Sequence, residues 1–550
     1  MRVDLSYRTS VDAQGETHFC YVSPDGKEAP TLRVKPGDLL VMRLTNVEPK
    51  SAAATQSNAA ARNAAATSQP SAAAGGAAAT AASATAAGAT VAAAIAHSHA
   101  HAKSNGCTAG SMSATATNVH FHGLTVPPVC HQDDVLNTLI EAGDAPFEYR
   151  LRIPANEPPG LYWYHPHVHG MSKAQVLGGA SGALIVEGVE RTNPALAGLA
   201  ERVFIIRDRE LVNPDAAPVQ TDSMPPPLVM RDAEGDILNT GTGGGKPAKD
   251  LTLNFVPVPF PTYTPAVIEL KPGERQLWRI LNASAITYLD LQLLVDNQLQ
   301  VLNVVSLDGV PVSQGSGVHI LGQSHALVPP AGRIEIVVKG PKEGQKVVLV
   351  TRTVDTGPAG ENDPTRPLAT ILGTPLAVAP RAHLEAAPQP LPPPDLPWLG
   401  SVQPARTRRL YFSEQPHDPK DPRSPTDFYI TVEGQQPKLF DPATATPDIV
   451  VRQGEVEDWI VENRTQELHA FHIHQLHFML VDWNGIPLDE PYLRDTINVG
   501  YWDGKSSEYP SVRLRMDFRS PNVVGTFVYH CHLLEHEDGG MMGLIRVEPP

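Results

Sequence analysis

The residues of this chain best suited to metal chemistry lie near its C-terminal end. The triplet His530-Cys531-His532 is followed by His536 and then by Met541. A thiolate, an imidazole and a weak thioether are ligands of a blue-copper electron-transfer site, which needs one further histidine from elsewhere. A lone His-Cys-His triplet also fits three buried core residues, but the spacing to His536 and Met541 favours ligation.

A β-strand is predicted to present this triplet. Residues 525–529, Gly-Thr-Phe-Val-Tyr, indicate a strand, and side chains on a strand alternate between its two faces. If the strand continues through the triplet, His530 and His532 point to one side and Cys531 to the other. One short peptide would then hold two metal centres that are joined by covalent bonds.

Three further segments carry histidines in the alternating spacing that a strand directs to one face. They are His120-Phe121-His122, His165-Pro166-His167 and His469-Ala470-Phe471-His472-Ile473-His474. Together with the C-terminal segment they hold ten of the 21 histidines. Four His-x-His pairs give eight imidazoles, which is two for one copper ion and three for each of two more. His469 remains, and it completes the blue site with Cys531, His536 and Met541.

A sequence motif that occurs three times predicts three copies of one β-domain. The copies are Val34-Lys35-Pro36-Gly37-Asp38, Leu270-Lys271-Pro272-Gly273-Glu274 and Val451-Arg452-Gln453-Gly454-Glu455. From the glycine to the next shared asparagine the spacing is nine residues in each copy (46−37, 282−273, 463−454). A turn at the glycine followed by an alternating strand fits all three copies.

The first and third copies share the histidine pairs, and the middle copy has none. Residues 160–167 match residues 525–532, and residues 120–122 match residues 472–474. We therefore expect the first and third domains to face each other as pseudo-symmetric halves. The middle domain is interpreted as a spacer that sets their geometry.

These repeats predict an all-β chain, since short strands joined by turns also suit its 53 prolines and 43 glycines. The predicted units are domain 1 over 1–190, domain 2 over 191–378, a Pro-rich linker over 379–406 and domain 3 over 407–550.

Domain 1 is predicted to carry a low-complexity insert over about 51–117. Asn46 and His120 are 74 residues apart, whereas the equivalent Asn463 and His472 are 9 apart. The insert is rich in alanine, threonine and serine, so we interpret it as a disordered loop beside the histidine cluster. His97, His99 and His101 within it could bind copper transiently, but a segment without a metal-binding role is the favoured interpretation.

Composition excludes some partners and leaves other questions open. The net charge of −16 offers no basic stripe for nucleic acid, and no apolar run is long enough to span a bilayer. Cys20, Cys107 and Cys130 allow one disulfide and one thiol, or three reduced thiols. We expect a periplasmic or secreted protein. The first residues show no apolar signal segment, so an intracellular location stays open.

The four histidine segments, in this order and spacing, resemble the signature of the multicopper oxidases, the family of laccases, cuprous oxidases and bilirubin oxidases. The resemblance covers the chain apart from the insert, and it implies three consecutive cupredoxin-like Greek-key domains and four copper ions. It implies type 1 copper on His469, Cys531, His536 and Met541. It implies type 2 copper on His120 and His472, and a type 3 pair on His122, His165, His167, His474, His530 and His532. One departure is Ala470, where the family often has proline.

The resemblance also implies a mechanism with a small-molecule electron donor and O2 as partners. Electrons enter over His536, and Cys531 passes them to its histidine neighbours so that O2 is reduced to water. Protons must arrive as well, so Asp134 (or its neighbour Asp133) and Glu537 are predicted relays, with surface acids as the alternative. Histidines 131, 169 and 477 are expected to be supporting or surface groups.

Two donor classes and one non-enzymatic role compete. A laccase-like oxidase of phenols or aromatic amines is favoured, because the ten methionines form no cluster that would capture Cu(I). Residues 535–539 nevertheless resemble cuprous-oxidase members, so a metal-ion oxidase is the alternative. A non-catalytic copper-binding scaffold is the third. A two-domain nitrite-reductase arrangement would need a trimer, whereas one chain here supplies every ligand, so a monomer suffices.

Overall fold

The protein is described here from a computed structural model. It describes residues 1–12, 15–47, 107, 115–218, 229–232, 236–239, 245–313, 319–378, 380, 396–421, 424–442 and 446–550. Most of the predicted insert over 51–117, with its three histidines, and much of the predicted linker over 379–406 lie outside the described residues. Among those described, no helix is both long enough and apolar enough to cross a membrane.

The first domain is a sandwich of two four-stranded sheets, in the orders β2-β1-β4-β6 and β3-β8-β7-β5. Its strands are β1 (Arg2–Val11), β2 (Thr17–Val22), β3 (Leu32–Val34), β4 (Leu39–Asn46), β5 (His120–His122), β6 (Phe147–Arg152), β7 (Gly160–His165) and β8 (Gly182–Val186). Its helix α1 (Ser172–Leu177) follows β7, and α2 (Val189–Thr192) follows β8.

The second domain has sheets in the orders β11-β10-β9-β13-β20-β16-β17, with β18 on β16, and β12-β22-β21-β14-β15, with β19 on β14. Its strands are β9 (Ala200–Arg209), β10 (Asp250–Leu253), β11 (Val256–Val258), β12 (Ala266–Leu270), β13 (Arg275–Asn282), β14 (Leu289–Val295), β15 (Gln298–Gln300), β16 (Leu302–Leu307), β17 (Val310–Pro311), β18 (Leu321–Gln323), β19 (Ala326–Val328), β20 (Arg333–Lys339), β21 (Val347–Arg352) and β22 (Arg366–Gly373).

The third domain has sheets in the orders β24-β23-β26-β32-β28-β29, with β30 on β28, and β25-β34-β33-β27-β31. Helix α3 (Leu396–Ser401) precedes it, and α4 (Leu534–Asp538) connects β33 to β34. Its strands are β23 (Arg406–Pro416), β24 (Thr426–Val432), β25 (Ile449–Arg452), β26 (Val456–Asn463), β27 (His469–Ile473), β28 (Phe478–Trp483), β29 (Ile486–Pro487), β30 (Leu493–Arg494), β31 (Thr496–Val499), β32 (Ser511–Asp517), β33 (Gly525–Cys531) and β34 (Met542–Glu548).

The three domains repeat one topology, which confirms the predicted fold class. The strand after the repeated glycine turn runs parallel to the first strand of its domain: β4 to β1, β13 to β9, and β26 to β23. The strand before the turn runs parallel to the last strand: β3 to β8, β12 to β22, and β25 to β34. The repeated motif is therefore the point at which the chain passes from one sheet of a sandwich to the other.

The asparagine that ends each repeat has a structural role. Asn46, Asn282 and Asn463 are all buried, at no more than 1% exposed. In each, the side-chain amide donates to two backbone carbonyl oxygens of its own domain. Because an unpaired buried carbonyl is costly, each amide stabilises the fold by bonding two buried carbonyl oxygens at once. The glycines before it have φ angles of +87°, +78° and +100°, which suit a turn without a side chain.

Contacts between domains bring the first and third domains together beside the second. The Asp538 carboxylate of α4 accepts hydrogen bonds from the backbone N–H groups of Gly170, Ser172 and Lys173 at the start of α1. The Leu534 N–H donates to the carbonyl oxygen of Ala285 in the second domain, at 2.9 Å. Side chains of all three domains also meet in one buried apolar cluster, formed by Val176, Ala285, Ile286 and Leu534.

We expect Gly160→Ala to loosen the contact between the first and second domains. A Cβ atom at Gly160 would lie 2.2 Å from the carbonyl oxygen of Gly309, and backbone cannot move aside as a flexible side chain can. Overpacking of this kind costs about 1–3 kcal/mol, so the midpoint of thermal unfolding should fall by several degrees. Gly500→Ala is the control, because its added Cβ would lie 3.6 Å from Pro510, at ordinary contact distance. Equal midpoints for the two variants would contradict this account.

Candidate metal centres

The predicted ligands form four groups whose donor atoms lie within 4.8 Å of one another inside each group. All of these side chains are buried. The groups are His469, Cys531 and His536; His120, His122 and His472; His122, His165 and His532; and His167, His474 and His530. The structure therefore brings together the sulfur site and the eight further imidazoles that the sequence singles out.

Neighbouring antiparallel strands position these groups. In the first domain β5 pairs with β7, so that His120 lies opposite His165. In the third domain β27 pairs with β33, so that His472 lies opposite His530, and Phe471 lies opposite Cys531. The strand ends at Cys531, one residue short of the predicted extension through the triplet. Alternation still separates the two sides, because the His530 and His532 rings lie 5.3 Å apart at their centroids while Cys531 faces His469 and His536.

The sulfur site is compact and buried. Cys531 Sγ lies 3.5 Å from His469 Nδ1 and 3.7 Å from His536 Nδ1, and the two Nδ1 atoms are 3.0 Å apart. Met541 is fully buried, and its backbone is bonded to both Cys531 and His536. Helix α4 thus returns the chain so that Met541 lies beside the cysteine.

The ring nitrogens that face away from the sulfur have their own partners. His469 Nε2 is 2.8 Å from Thr465 Oγ1, and His536 Nε2 is 3.4 Å from Glu467 Oε1. These contacts leave the Nδ1 atom of each ring to face Cys531. Partners of this kind fix the orientation of a metal-ligating histidine.

Backbone carbonyl oxygens orient several rings of the larger cluster. The Nδ1–H groups of His165, His472 and His530 donate to the carbonyl oxygens of Pro166, Asp495 and Cys531, at 2.9, 2.7 and 2.9 Å respectively. Each bond fixes the tautomer of its ring and leaves Nε2 as the nitrogen that can bind a metal. His530 Nε2 lies 3.3 Å from the Nε2 atoms of His167 and His474.

Several buried ring nitrogens of this cluster have no hydrogen-bond partner, and their chemical type shows whether the cluster fits copper. These are Nε2 of His120, His165 and His472, Nδ1 of His122 and His474, and both ring nitrogens of His532. Burial of an unpaired polar atom is costly, so such a concentration indicates a ligand-binding site. Imidazole and thiolate donors are the types that copper prefers, and the residues therefore fit copper.

Burial keeps the rings in the form that binds a metal. It lowers the pKa of His530 and of His536 to about 3, and it also lowers the pKa of the other predicted ligand histidines for which a shift is resolved. Burial raises the pKa of the Cys531 thiol to about 12. A bound cation offsets that cost, because a coordinating thiol loses its proton.

Two of the acids that the sequence singled out contact the histidine cluster directly. The Asp133 carboxylate lies 3.0 Å from His120 Nδ1 and accepts from the backbone N–H of Phe121. Glu537 Oε2 lies 3.3 Å from His530 Nδ1, and Glu537 Oε1 lies 3.6 Å from His167 Nδ1.

Asp134, the acid that the sequence favoured, is placed differently. It is only partly buried, and its carboxylate is bonded to the side-chain amide and backbone N–H of Asn137. The geometry therefore favours its neighbour Asp133 as the acid beside the first segment.

The sequence did not single out Asp495, Thr496, Thr465 or Glu467, although each contacts a predicted ligand. Asp495 Oδ1 lies 3.1 Å from His122 Nε2, across 373 residues of chain. No local spacing signals a contact of that kind. Thr465 and Glu467 lie four and two residues before His469. Their closeness in sequence to a predicted ligand is the only signal that could have indicated either of them.

The three other histidines near the motifs take different positions. His477 Nε2 donates to the Asp308 carbonyl oxygen at 3.0 Å and lies 3.5 Å from Asp495 Oδ2, so it borders the ligand cluster. His131 is exposed, with Nδ1 bonded to the Glu148 carbonyl oxygen. The His169 ring packs edge-on against Phe440.

Comparisons with known proteins agree with this arrangement. Two family models described as multicopper oxidase match residues 110–191 and 419–550. A multicopper oxidase of Staphylococcus haemolyticus is 24% identical over 439 residues, which is 78% of this chain and 76% of that protein. A laccase of Bacillus stratosphericus is 23% identical over 469 residues, covering 78% of this chain and 79% of the laccase.

The fold is also that of a solved multicopper oxidase. A Campylobacter jejuni protein described as a metallo-oxidase superposes with a TM-score of 0.62 at 24% identity, covering 100% of this chain and 91% of its own. The family models and the curated relatives, taken with the convergence of the predicted ligands, support a multicopper oxidase family and an oxidoreductase that uses oxygen.

Proposed function

We propose that this chain couples one-electron oxidation of a donor at His536 to reduction of O2 to water, with four copper ions per chain. The observation that supports this proposal best is the position of Cys531 between two sets of imidazoles. Its sulfur faces His469 and His536, while its neighbours in sequence, His530 and His532, belong to the larger cluster. Copper bound at these sites would supply the one-electron redox chemistry and the capacity to reduce O2.

The chain's own residues divide the work between the two sites. Cys531 offers a covalent path from the donor side to both histidine neighbours. Carbonyl oxygens hold rings of the larger cluster in fixed orientations, and burial excludes bulk water from all of them. Fixed donor geometry and exclusion of water are the protein's contributions to such a site.

Replacing Cys531 tests the proposal. Cys531→Ser should lose the thiolate-to-copper absorbance and reduce oxygen uptake to background, because a hydroxyl cannot replace the thiolate. Metal analysis of the unaltered chain should give four copper ions per chain. Cys20→Ser is the matched control, since Cys20 is a free, partly buried thiol of the first domain. An unaltered chain that binds no copper would rule out the proposal.

Glu537 is the acid that we propose serves O2 reduction, because it contacts His530 and His167 rather than the sulfur site. Glu537→Gln should slow oxygen uptake and leave the thiolate-to-copper absorbance intact. Asp133→Asn and Asp134→Asn separate the two acids of the first segment, and only the former contacts a predicted ligand. Turnover unchanged in Glu537→Gln would remove this residue from the pathway.

For the donor, the geometry supports a low-valent metal cation such as Cu(I) better than a phenol. His536 is only 2% exposed, and Phe428 stacks on its ring at 4.3 Å between centroids. Glu467 lies at its Nε2 atom and is hydrogen-bonded to Glu414. Buried Glu361 interacts electrostatically with Glu467 and with Cys531. Burial raises the pKa of Glu467 and Glu361 well above the usual range of a carboxyl group, and a bound cation would stabilise these groups by replacing their protons.

Relatives support both donor classes. The Campylobacter jejuni protein is described as a metallo-oxidase, and the Bacillus stratosphericus relative is a laccase. Oxidation of phenols or aromatic amines, the class favoured by the sequence, therefore stays the competing proposal.

Steady-state kinetics with both donors distinguish the two classes. The double variant Glu361→Gln, Glu414→Gln should raise KM for Cu(I) several-fold and leave KM for a substituted phenol unchanged, because it removes carboxyl groups that can ligate a cation and does not touch His536. Glu343→Gln, at an exposed site on the second domain, is the control. A change in the phenol KM alone would favour the laccase-like reaction.

We also propose a periplasmic or extracellular location. The disulfide between Cys107 and Cys130, with Cα atoms 5.6 Å apart, supports an oxidising compartment.

A further inference from the structure

A buried ion pair joins the second domain to the third directly beside the histidine cluster. Arg333, the first residue of β20, donates from Nη1 to Asp495 Oδ1 at 2.7 Å and from Nη2 to Asp495 Oδ2. Both side chains are fully buried. This two-pronged geometry fixes the orientation of a carboxylate as well as its position.

Arg333 also reaches the first domain. Its Nε–H donates to the carbonyl oxygen of Leu161 at 3.2 Å, in the strand that leads to His165. Its remaining donors bond to the carbonyl oxygens of Ala331 and Asp308 in the second domain. One guanidinium group therefore contacts all three domains.

Asp495 in turn holds two predicted ligands by opposite ring nitrogens. Its carboxylate accepts from His122 Nε2 at 3.1 Å, which leaves Nδ1 of that ring free. Its backbone carbonyl oxygen accepts from His472 Nδ1 at 2.7 Å, which leaves Nε2 free. The Thr496 hydroxyl donates to the same carboxylate at 2.9 Å and so fixes it further.

The residue after His122 leaves room for this pair. A Cβ atom at Gly123 would lie 2.7 Å from both Arg333 Nη2 and Asp495 Oδ2. Gly123 also has a φ of +89°, which suits glycine alone. The backbone of the first histidine segment is thus fitted closely to an ion pair made by the other two domains.

We infer that Arg333 and Asp495 are positioning residues, through which the middle domain sets the orientation of the His122 and His472 rings. The inference rests on the proposed function, because it gives those rings a metal to hold. Loss of the pair would leave the rings present and free to turn. Partners that orient a ligand in this way are worth about 10- to 100-fold in metal affinity or activity.

Arg333→Lys in the copper-loaded full chain tests this inference. Lysine keeps the positive charge but cannot bond both carboxylate oxygens in the same fixed geometry. We expect copper to be lost to a chelator about 10- to 100-fold more readily than from the unaltered chain. The electron paramagnetic resonance signal of the type 2 Cu(II) should also change. The thiolate-to-copper absorbance should stay unchanged, because the sulfur site does not contact the pair.

Arg279→Lys is the matched control. Arg279 is an equally buried arginine of the second domain, paired with Glu201 and Glu335. It should lower the thermal midpoint without altering the resonance signal. The inference is overturned if Arg333→Lys keeps the unaltered signal and copper retention, or if Arg279→Lys shows the same spectral change.

A second variant covers poor folding of Arg333→Lys. Asp495→Asn keeps both oxygen acceptors of the histidines and loses the ion pair, so it should give the same change in signal. An unaltered signal in that variant also overturns the inference. Failure of the proposed function would be visible separately, as an unaltered chain that holds no copper.

Discussion

Cys531 faces the opposite side of β33 from its two histidine neighbours, and both candidate centres depend on that alternation. A strand turns successive side chains to opposite faces, so one peptide can serve a sulfur site on one face and a histidine cluster on the other. The neighbouring strand β27 follows the same rule, because His469 faces the sulfur while His472 belongs to the other cluster. Covalent bonds then join the two centres without any further side chain.

The alternation is useful only if the first domain is held against the third. The larger cluster takes histidines from β5 and β7 of one domain and from β27 and β33 of the other. Three contacts cross domain boundaries close to these rings. They are the hydrogen bonds from the start of α1 to Asp538 of α4, the backbone hydrogen bond between Leu534 and Ala285, and the Arg333–Asp495 pair. None of the predicted copper ligands belongs to the middle domain, yet this domain supplies groups that fix where the other two domains meet.

Burial gives both centres their chemical character. Neutral imidazoles can lie close together without the repulsion that clustered charges would cause, and burial keeps them neutral by lowering the pKa of His530 and His536 to about 3. The carboxyl groups near the donor side contrast with this, because burial and neighbouring acids raise the pKa of Glu467 and Glu361 well above its usual range. That contrast is the basis of our proposal of a cationic donor at His536.

The sequence by itself was sufficient to predict the three-fold repeat, the cupredoxin-like fold class, the family and the set of candidate ligands. The repeat and the candidate ligands follow from local spacing: nine residues from glycine to asparagine, two between paired histidines, five from Cys531 to His536 and five more to Met541. The cupredoxin-like class and the family follow from the resemblance of those segments to the multicopper oxidases. Local spacing determines which side chains share a strand face.

Only the tertiary structure decided which groups support those ligands. In the structure Asp133, rather than Asp134, contacts His120, and Cys107 is bonded to Cys130. His536 Nε2 lies beside the Glu467 carboxyl group, and the Arg333–Asp495 pair lies against the histidine rings. These contacts join positions up to several hundred residues apart. The apolar and polar alternation of each strand would be the same for many relative placements of the domains. Such contacts depend on how whole sandwiches pack against one another, and no periodicity within a single strand carries that information.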